Sequence, residues 1–161
     1  MDAYPEISFT EALDSESPAQ REVGDGPFSA FSRLRDVGLR PTRQRVLLAE
    51  LLFGQGDRHV TAETLFAEAA TANIQLSLAT VYNTLNQFTQ AGLLRRIGPD
   101  GSRSFFDTNT TVHPHFYLDG EDILIDVPET LVLEQVPDPL PGHEISRLDI
   151  IIHIRRKPVD I

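Results

Sequence analysis

Residues Ser77–Gly92, SLATVYNTLNQFTQAG, decide how the rest of this chain is read. Ser77 is a good N-cap and Gly92 a natural helix stop, and between them Leu78, Val81, Leu85 and Phe88 recur at spacings of three and four. The stretch is therefore one helix with one apolar stripe. Its other face, Thr80, Tyr82, Asn83, Thr84, Asn86, Gln87 and Gln90, offers donors, acceptors and one aromatic ring but no charge. In a major groove, amide side chains pair with adenine and apolar groups touch thymine methyls, so such a face suits base reading. An ordinary amphipathic helix with a neutral solvated face has the same pattern, and the flanking sequence has to decide between them.

Upstream, Pro27 fits the first turn of a helix running to about Val37, with Phe28, Phe31, Leu34 and Val37 on one face and Gly38 ending it. Pro41 and Thr42 open a second helix that Gly54 closes and that carries Val46, Leu47, Ala49, Leu51 and Leu52. Thr61 caps a third, with Ala62, Leu65, Phe66 and Ala69 facing inward. After the connector from Asn73 to Leu76 comes the helix that opens this section, and such a pair joined by a short turn is a helix-turn-helix. Beyond Gly92 the period turns extended. LLRRIG and SRSFFD flank Pro99, Asp100 and Gly101 as a β-hairpin, and helices followed by a hairpin make a winged helix.

From Thr108 onward two strands are expected, around Phe116 to Leu118 and Ile123 to Val127, joined by the acidic turn Asp119 to Asp122. Glu129 to Pro141 carries prolines and offers a short helix at best, and EISRLDIIIHIRRK reads as a β-branched strand. Three such strands make a poor independent core, which points to pairing with a second copy, a homodimer. The expected fold is α+β. An acidic arm over residues 1–27 precedes an N-terminal winged helix-turn-helix domain over 28–107 and a small α/β dimerisation domain over 108–161.

The formal net charge of −10 argues against a nucleic-acid partner on average, but it is unevenly spread. Residues 1–27 hold seven acids and one base, residues 28–107 seven acids and nine bases, and residues 108–161 ten acids and four bases. The only net-positive block thus contains the candidate recognition helix. Its bases are arginines, good phosphate forks, with Arg40, Arg43 and Arg45 clustered at the start of the second helix and Arg95, Arg96 and Arg103 on or near the hairpin. Solvated hairpin faces are the plainer explanation of the last three.

There is no cysteine, which excludes disulfides, thiolate zinc sites and cysteine nucleophiles, so any metal must be held by His, Asp and Glu. No long apolar run and no signal pattern are present; a cytoplasmic protein that spans no membrane is expected. With no nucleophile and base pair and no phosphate loop, an enzyme is not expected.

The motifs GLRPTRQRVLLAELL, HVTAETLF and LATVYNTLNQFTQAGLL, a wing ending in SFFD and a short His-x-His together resemble the ferric uptake regulator (Fur) family of bacterial metalloregulators, over roughly residues 28 to 154. The missing cysteines and the ending GHEISRLDIIIHIRRK are similar to its iron response regulator (Irr) branch in the alphaproteobacteria. The resemblance implies a winged-helix DNA-binding domain, a hinge near the His-x-His, a dimerisation domain and a repressor or activator of iron and haem genes acting on double-stranded, AT-rich operator DNA. It matches Tyr82 to a tyrosine that touches thymine and Arg40 to a base placed against the minor groove. Thr80 and Asn83 flank Tyr82 as further contacts, with Arg43, Arg95 and Arg96 expected at phosphates.

For the metal, the resemblance matches His59, Asp107, His113, His115 and Asp126 to an interdomain site, with the gap from Asp107 to His113 uncertain by a residue. Imidazoles with carboxylates suit Fe(II), Mn(II) or Zn(II). Pro114 suggests that the His-x-His lies in an extended loop rather than a strand, and His59 could equally be a capping or surface residue. Leu118 and Glu121 stand where the family's first cysteine pair would be, so no structural cysteine zinc is expected, and Val112 and Pro114 leave the second family site without its ligands. The Irr resemblance implies haem as signal, with His113 or His115 as axial ligand; His153 and His143 are more simply packing and loop residues. The rival expectation is a winged-helix protein-interaction module that does not read DNA, which the net charge favours and the arginine cluster opposes.

Overall fold

The computed structural model describes residues 29–99, 101 and 103–158. The expected acidic arm, Phe28, Asp100 of the hairpin turn and the last three residues lie outside them. The elements in order are α1 (Ala30–Asp36), α2 (Arg43–Phe53), β1 (His59–Val60), α3 (Ala62–Thr71), α4 (Leu78–Gln90), β2 (Arg95–Ile97), β3 (Phe105–Asp107), β4 (His115–Leu118), β5 (Ile123–Asp126) and β6 (Ile151–Ile154). Helices and strands are both substantial, an α+β architecture. Two small sheets are formed, ordered β1-β3-β2 and β5-β4-β6.

The helix starts follow from hydroxyl caps: Ser29, Thr42, Thr61 and Ser77 each accept a hydrogen bond from the backbone three residues on. Thr61 and Thr64 complete a reciprocal capping box. At the far end of α4, Gly92 adopts φ +80 and the Leu93 N–H bonds the Phe88 carbonyl at 2.9 Å, a left-handed stop that turns the chain into β2. The core of this half gathers Leu34, Leu48, Leu52, Leu65, Val81, Leu85, Phe88 and Phe106, all shut off from solvent.

Several inward assignments are corrected. Ala30 and Leu34 face the core from α1, whereas Phe31 is half exposed and Val37 only lines the edge. Phe66 and Leu78 are likewise exposed. On α2 the buried positions are Leu48, Ala49, Leu52 and Phe53, so the stripe sits about one residue round from the expected one. Thr84, expected on the reading face, is buried, and its hydroxyl donates to the Thr80 carbonyl at 2.8 Å. A helical Thr satisfied by its own preceding turn no longer competes for water, so it packs as a small apolar group.

The second sheet has strands at the expected places, with β4 antiparallel to β5 and parallel to β6, but β6 takes up only Ile151–Ile154 of the stretch 144–157 expected as strand. Residues 127–150 between β5 and β6 contain no helix, and prolines at 128, 137, 139 and 141 account for that. Its small core, Tyr117 and Leu124 with Ile151 packed beside them, closes against Ile97 and Phe105 of the wing.

Candidate metal centre

Strand β1 is only two residues long, yet it determines the centre. It pairs with β3 so that His59 lies opposite Asp107, and β2 pairs on the other side with Arg95 opposite the same Asp107. His59, Asp107 and Arg95 therefore form one rung across the first sheet, and directly opposed residues share a face. In the second sheet Asp126, His115 and Ile151 form the corresponding rung. The two rungs face each other.

One ligand atom from each of His59, Asp107, His113, His115 and Asp126 falls within a span of 4.8 Å. His113 and His115 Nε2 lie 3.1 and 3.2 Å from Asp107 Oδ2, and His113 Nε2 is 2.9 Å from Asp126 Oδ1. His59 Nε2 stands 3.3 Å from Asp107 Oδ2 and 3.0 Å from Asp126 Oδ1; it is sealed from solvent and makes no hydrogen bond of acceptable geometry. The rings pack closely, with centroids 5.1 Å apart for His59 and His115 and 4.3 Å for His113 and His115. An orphaned buried nitrogen facing two carboxylates is costly unless something binds it.

Outer contacts orient the donors. His113 Nδ1 lies 2.9 Å from the Thr111 carbonyl, which can only accept, so Nδ1 carries the proton and Nε2 offers its lone pair inward. Asp107 Oδ1 accepts from the Asn109 N–H at 2.8 Å, which leaves Oδ2 for the centre. The Asp107 carboxyl is almost wholly buried; that burial favours its neutral form, but the His115 hydrogen bond and the facing His59 imidazole outweigh it and hold the pKa below the usual range. For His59 burial acts downward, and the Asp107 and Asp126 carboxylates raise the pKa in spite of it. Three imidazoles and two carboxylates could hold a divalent ion of intermediate hardness and fit Fe(II), Mn(II) or Zn(II). Haem would need one imidazole free as an axial ligand, whereas His113 and His115 both turn Nε2 toward Asp107 and Asp126. Pro114 sits between a loop donor, His113, and a strand donor, His115, so the extended loop expected for the pair holds for His113 and not for His115. His143 and His153 stand elsewhere, bonded to the Pro141 carbonyl and to Asp119.

The candidate nucleic-acid face is α4 with the ground beside it. Tyr82 and Asn83 are exposed and Thr80 half-buried. The Tyr82 ring stands edge-on to Phe106 at 6.3 Å, which fixes its direction. Arg96 bonds Ser104 at 2.9 Å on the wing and reaches within 3.5 Å of the Tyr82 hydroxyl. Arg45 ties α2 to α4 through Gln87, at 3.0 and 3.2 Å, and donates to the Arg40 carbonyl. Gln87 is thereby withdrawn from the reading face, while Arg40 and Arg43 remain on the surface nearby. Arg95 departs from expectation: its side chain is 10% exposed and turned toward Asp149, which leaves no open side for a phosphate.

Fold and site define a two-domain winged-helix protein with a candidate metal-ligating junction between the domains. The model of the ferric uptake regulator family matches residues 36–127. The chain belongs to the ferric uptake regulator family. It is 36% identical over 85 residues to the ferric uptake regulation protein of Vibrio parahaemolyticus, covering 53% of this chain and 56% of that protein. It has the same identity over 85 residues to the Escherichia coli K12 protein of that name, covering 57% of it. The chain thus spans little more than half the length of these relatives. Among solved structures, the ferric uptake regulator of Pseudomonas aeruginosa with manganese superposes with a TM-score of 0.61 at 26% identity, over 81% of this chain and 100% of that one. The Vibrio cholerae ferric uptake regulator has a TM-score of 0.61 at 23% identity, over 78% and 98%, a likeness of fold.

Proposed function

We propose that this chain is a metal-responsive transcriptional regulator, not an enzyme, that binds operator DNA as a homodimer in the cytoplasm. The observation that carries the reading is the meeting of five donors from both sheets within 4.8 Å, at a junction whose angle sets where α4 points. An ion bound there favours one orientation of the winged helix. The accessible shift in DNA affinity equals the difference in binding free energy between the two orientations, typically ~1–3 kcal/mol. The ion is Fe(II), Mn(II) or Zn(II), held by His59, Asp107, His113, His115 and Asp126. The winged helix spans residues 28–107, and Arg40, Arg43, Thr80, Tyr82, Asn83 and Arg96 meet AT-rich DNA. The family membership and the manganese of the Pseudomonas aeruginosa neighbour support the metal.

The dimer is supported by the second sheet, which leaves Ile123, Ile125 and Ile154 exposed, and by the exposed Val132 and Leu140 in the segment between β5 and β6. No described helix is long and apolar enough to cross a membrane. The net charge of −10 favours a second reading, a protein-interaction module.

The test is fluorescence anisotropy of a labelled AT-rich palindromic duplex with the protein metal-free, with Mn(II) and with haem. His113→Ala/His115→Ala and Tyr82→Ala/Arg40→Ala variants run alongside. Binding that changes with Mn(II), that the histidine variant renders indifferent to Mn(II), and that the Tyr82 and Arg40 variant loses is the expected result. A response to haem that survives loss of the Mn(II) response would move the chain to the Irr-like mode. No binding in any condition would favour the interaction module.

A further inference from the structure

The rung that presents His59 and Asp107 to the metal ends in Arg95, and this arginine makes a second tie between the halves of the chain. Its Nη2 donates to Asp149 Oδ1 at 2.6 Å and to the Leu148 carbonyl at 2.8 Å; its Nε reaches Asp149 Oδ1 at 3.2 Å and its Nη1 the Thr111 carbonyl at 3.3 Å. Arg147 answers from the other side. It donates to the Arg96 carbonyl of β2 and engages both oxygens of Asp149. One carboxylate is thus shared by an arginine from each half, and a backbone carbonyl of each half is capped by the opposite arginine. A planar guanidinium spread over a carboxylate and two carbonyls fixes orientation as well as distance. Partial burial favours neutral Asp149, but its bonds to Arg147 and Arg95 prevail and keep the carboxyl below its ordinary pKa.

The position of this cluster relative to the metal donors gives it meaning. Arg95 is the register partner of Asp107. Asp149 stands two residues before Ile151, the register partner of His115, and the His115 N–H bonds the Ile150 carbonyl at 3.0 Å. Each end of the cluster is therefore one strand away from a metal donor in its own sheet.

We propose that Arg95, Arg147 and Asp149 form an interdomain clamp that sets the winged helix against the second sheet in the orientation where the five metal donors meet. They are positioning residues of the switch, and the proposal rests on the metal reading above. A chain already held in the competent orientation binds the ion without first having to order its halves; released from the clamp, only a fraction is competent, and apparent affinity falls by that fraction. The clamp also keeps Arg95 away from DNA while the halves are closed.

The absence of cysteine allows a clean test. Ala72→Cys and Glu134→Cys, both exposed, place spin labels on the two halves, and labelled chains are diluted into unlabelled ones so that only distances within a chain are read. Asp149→Asn, Arg95→Met and the double variant are compared with the parent, metal-free, for the distribution of distances, and separately for Mn(II) affinity by calorimetry; helical circular dichroism confirms folding. The expected result is a broadened distribution in each single variant and about a tenfold loss of Mn(II) affinity, with the double variant little worse than either single because all remove one shared contact. Distributions that superimpose on the parent overturn the clamp, as does unchanged Mn(II) affinity in the presence of broadening. A parent that takes up no Mn(II) would sink the metal reading, and the distances alone would then decide whether the clamp holds the halves.

Discussion

The two halves of this molecule solve the problem of burial differently. The helical half closes on itself: Leu34, Leu48, Leu52, Leu65, Val81, Leu85 and Phe88 reach essentially zero exposure with no help from beyond Phe106. Among the described hydrophobic residues of the second half only Tyr117 and Leu124 are buried; they lean on Ile97 and Phe105 of the wing, while Val132 is 82% and Leu140 72% exposed. A fully buried Leu or Phe contributes about 1.5–3 kcal/mol, so the first half has a store of stability that the second lacks. The second half is built to be completed, by the wing on one side and, in our proposal, by a second copy on the other.

The sharpest way to break this contrast is to empty the self-sufficient core. Phe88→Ala is expected to cost about 3–5 kcal/mol in urea unfolding, against a clearly smaller loss for Leu124→Ala in the shallow cluster. Equal losses would mean the second half is better packed than its exposures indicate. Next in size, Tyr82→Ala should weaken operator binding by about 1–3 kcal/mol in an anisotropy titration while lowering the unfolding midpoint only slightly, through the lost edge contact with Phe106. Ile125→Lys places a charge on the open sheet face and should raise the dimer dissociation constant at least about tenfold in sedimentation equilibrium while sparing the helical fold. Smaller still, Thr61→Ala removes the capping box of α3 and should cost about 1 kcal/mol.

The junction between the halves should be sensitive to pH. In the metal-free chain, the raised His59 gives stability that is fully present below about pH 6.5 and is lost as pH rises through its folded pKa. The depressed Asp107 works in the opposite direction, giving stability present above about pH 3.9 and lost as pH falls through its folded pKa. Because an ion competes with the His59 proton, Mn(II) affinity should climb with pH up to that raised value, by about tenfold per unit for each proton displaced, and then level off. A pH series of calorimetric titrations from 5.5 to 8 checks both the slope and the plateau.

Local chemistry made the helices legible: hydroxyl caps at Thr42, Thr61 and Ser77 and the stop at Gly92 lie where the sequence put them. Facing was less legible. Phe31, Phe66 and Leu78 are apolar and fall on the periodic stripes, but period alone does not say how wide a stripe the neighbours can cover. All five donors were named through family resemblance, whereas their convergence depends on β1, a two-residue strand too short to show any pattern. Arg147 and Asp149 had no signal whatever. Alternating charges ahead of an apolar strand are commonplace, and their partner Arg95 lies more than fifty residues away.

The two facing rungs have a mechanical consequence. Each crosses three strands over roughly 10 Å, and beside this row Tyr117 and Leu124 pack on Ile97 and Phe105 of the wing. A row of paired groups with an apolar cluster beside it resists pulling apart and sideways slip, and leaves turning about the row as the motion that separates the fewest contacts. Ion binding and the arginine clamp act at opposite ends of it, like two pins through one door hinge. Any turn allowed by a change at either pin reaches α4 through a lever, and the distance from hinge to helix, rather than the strength of any one bond, sets how far the DNA-facing surface travels.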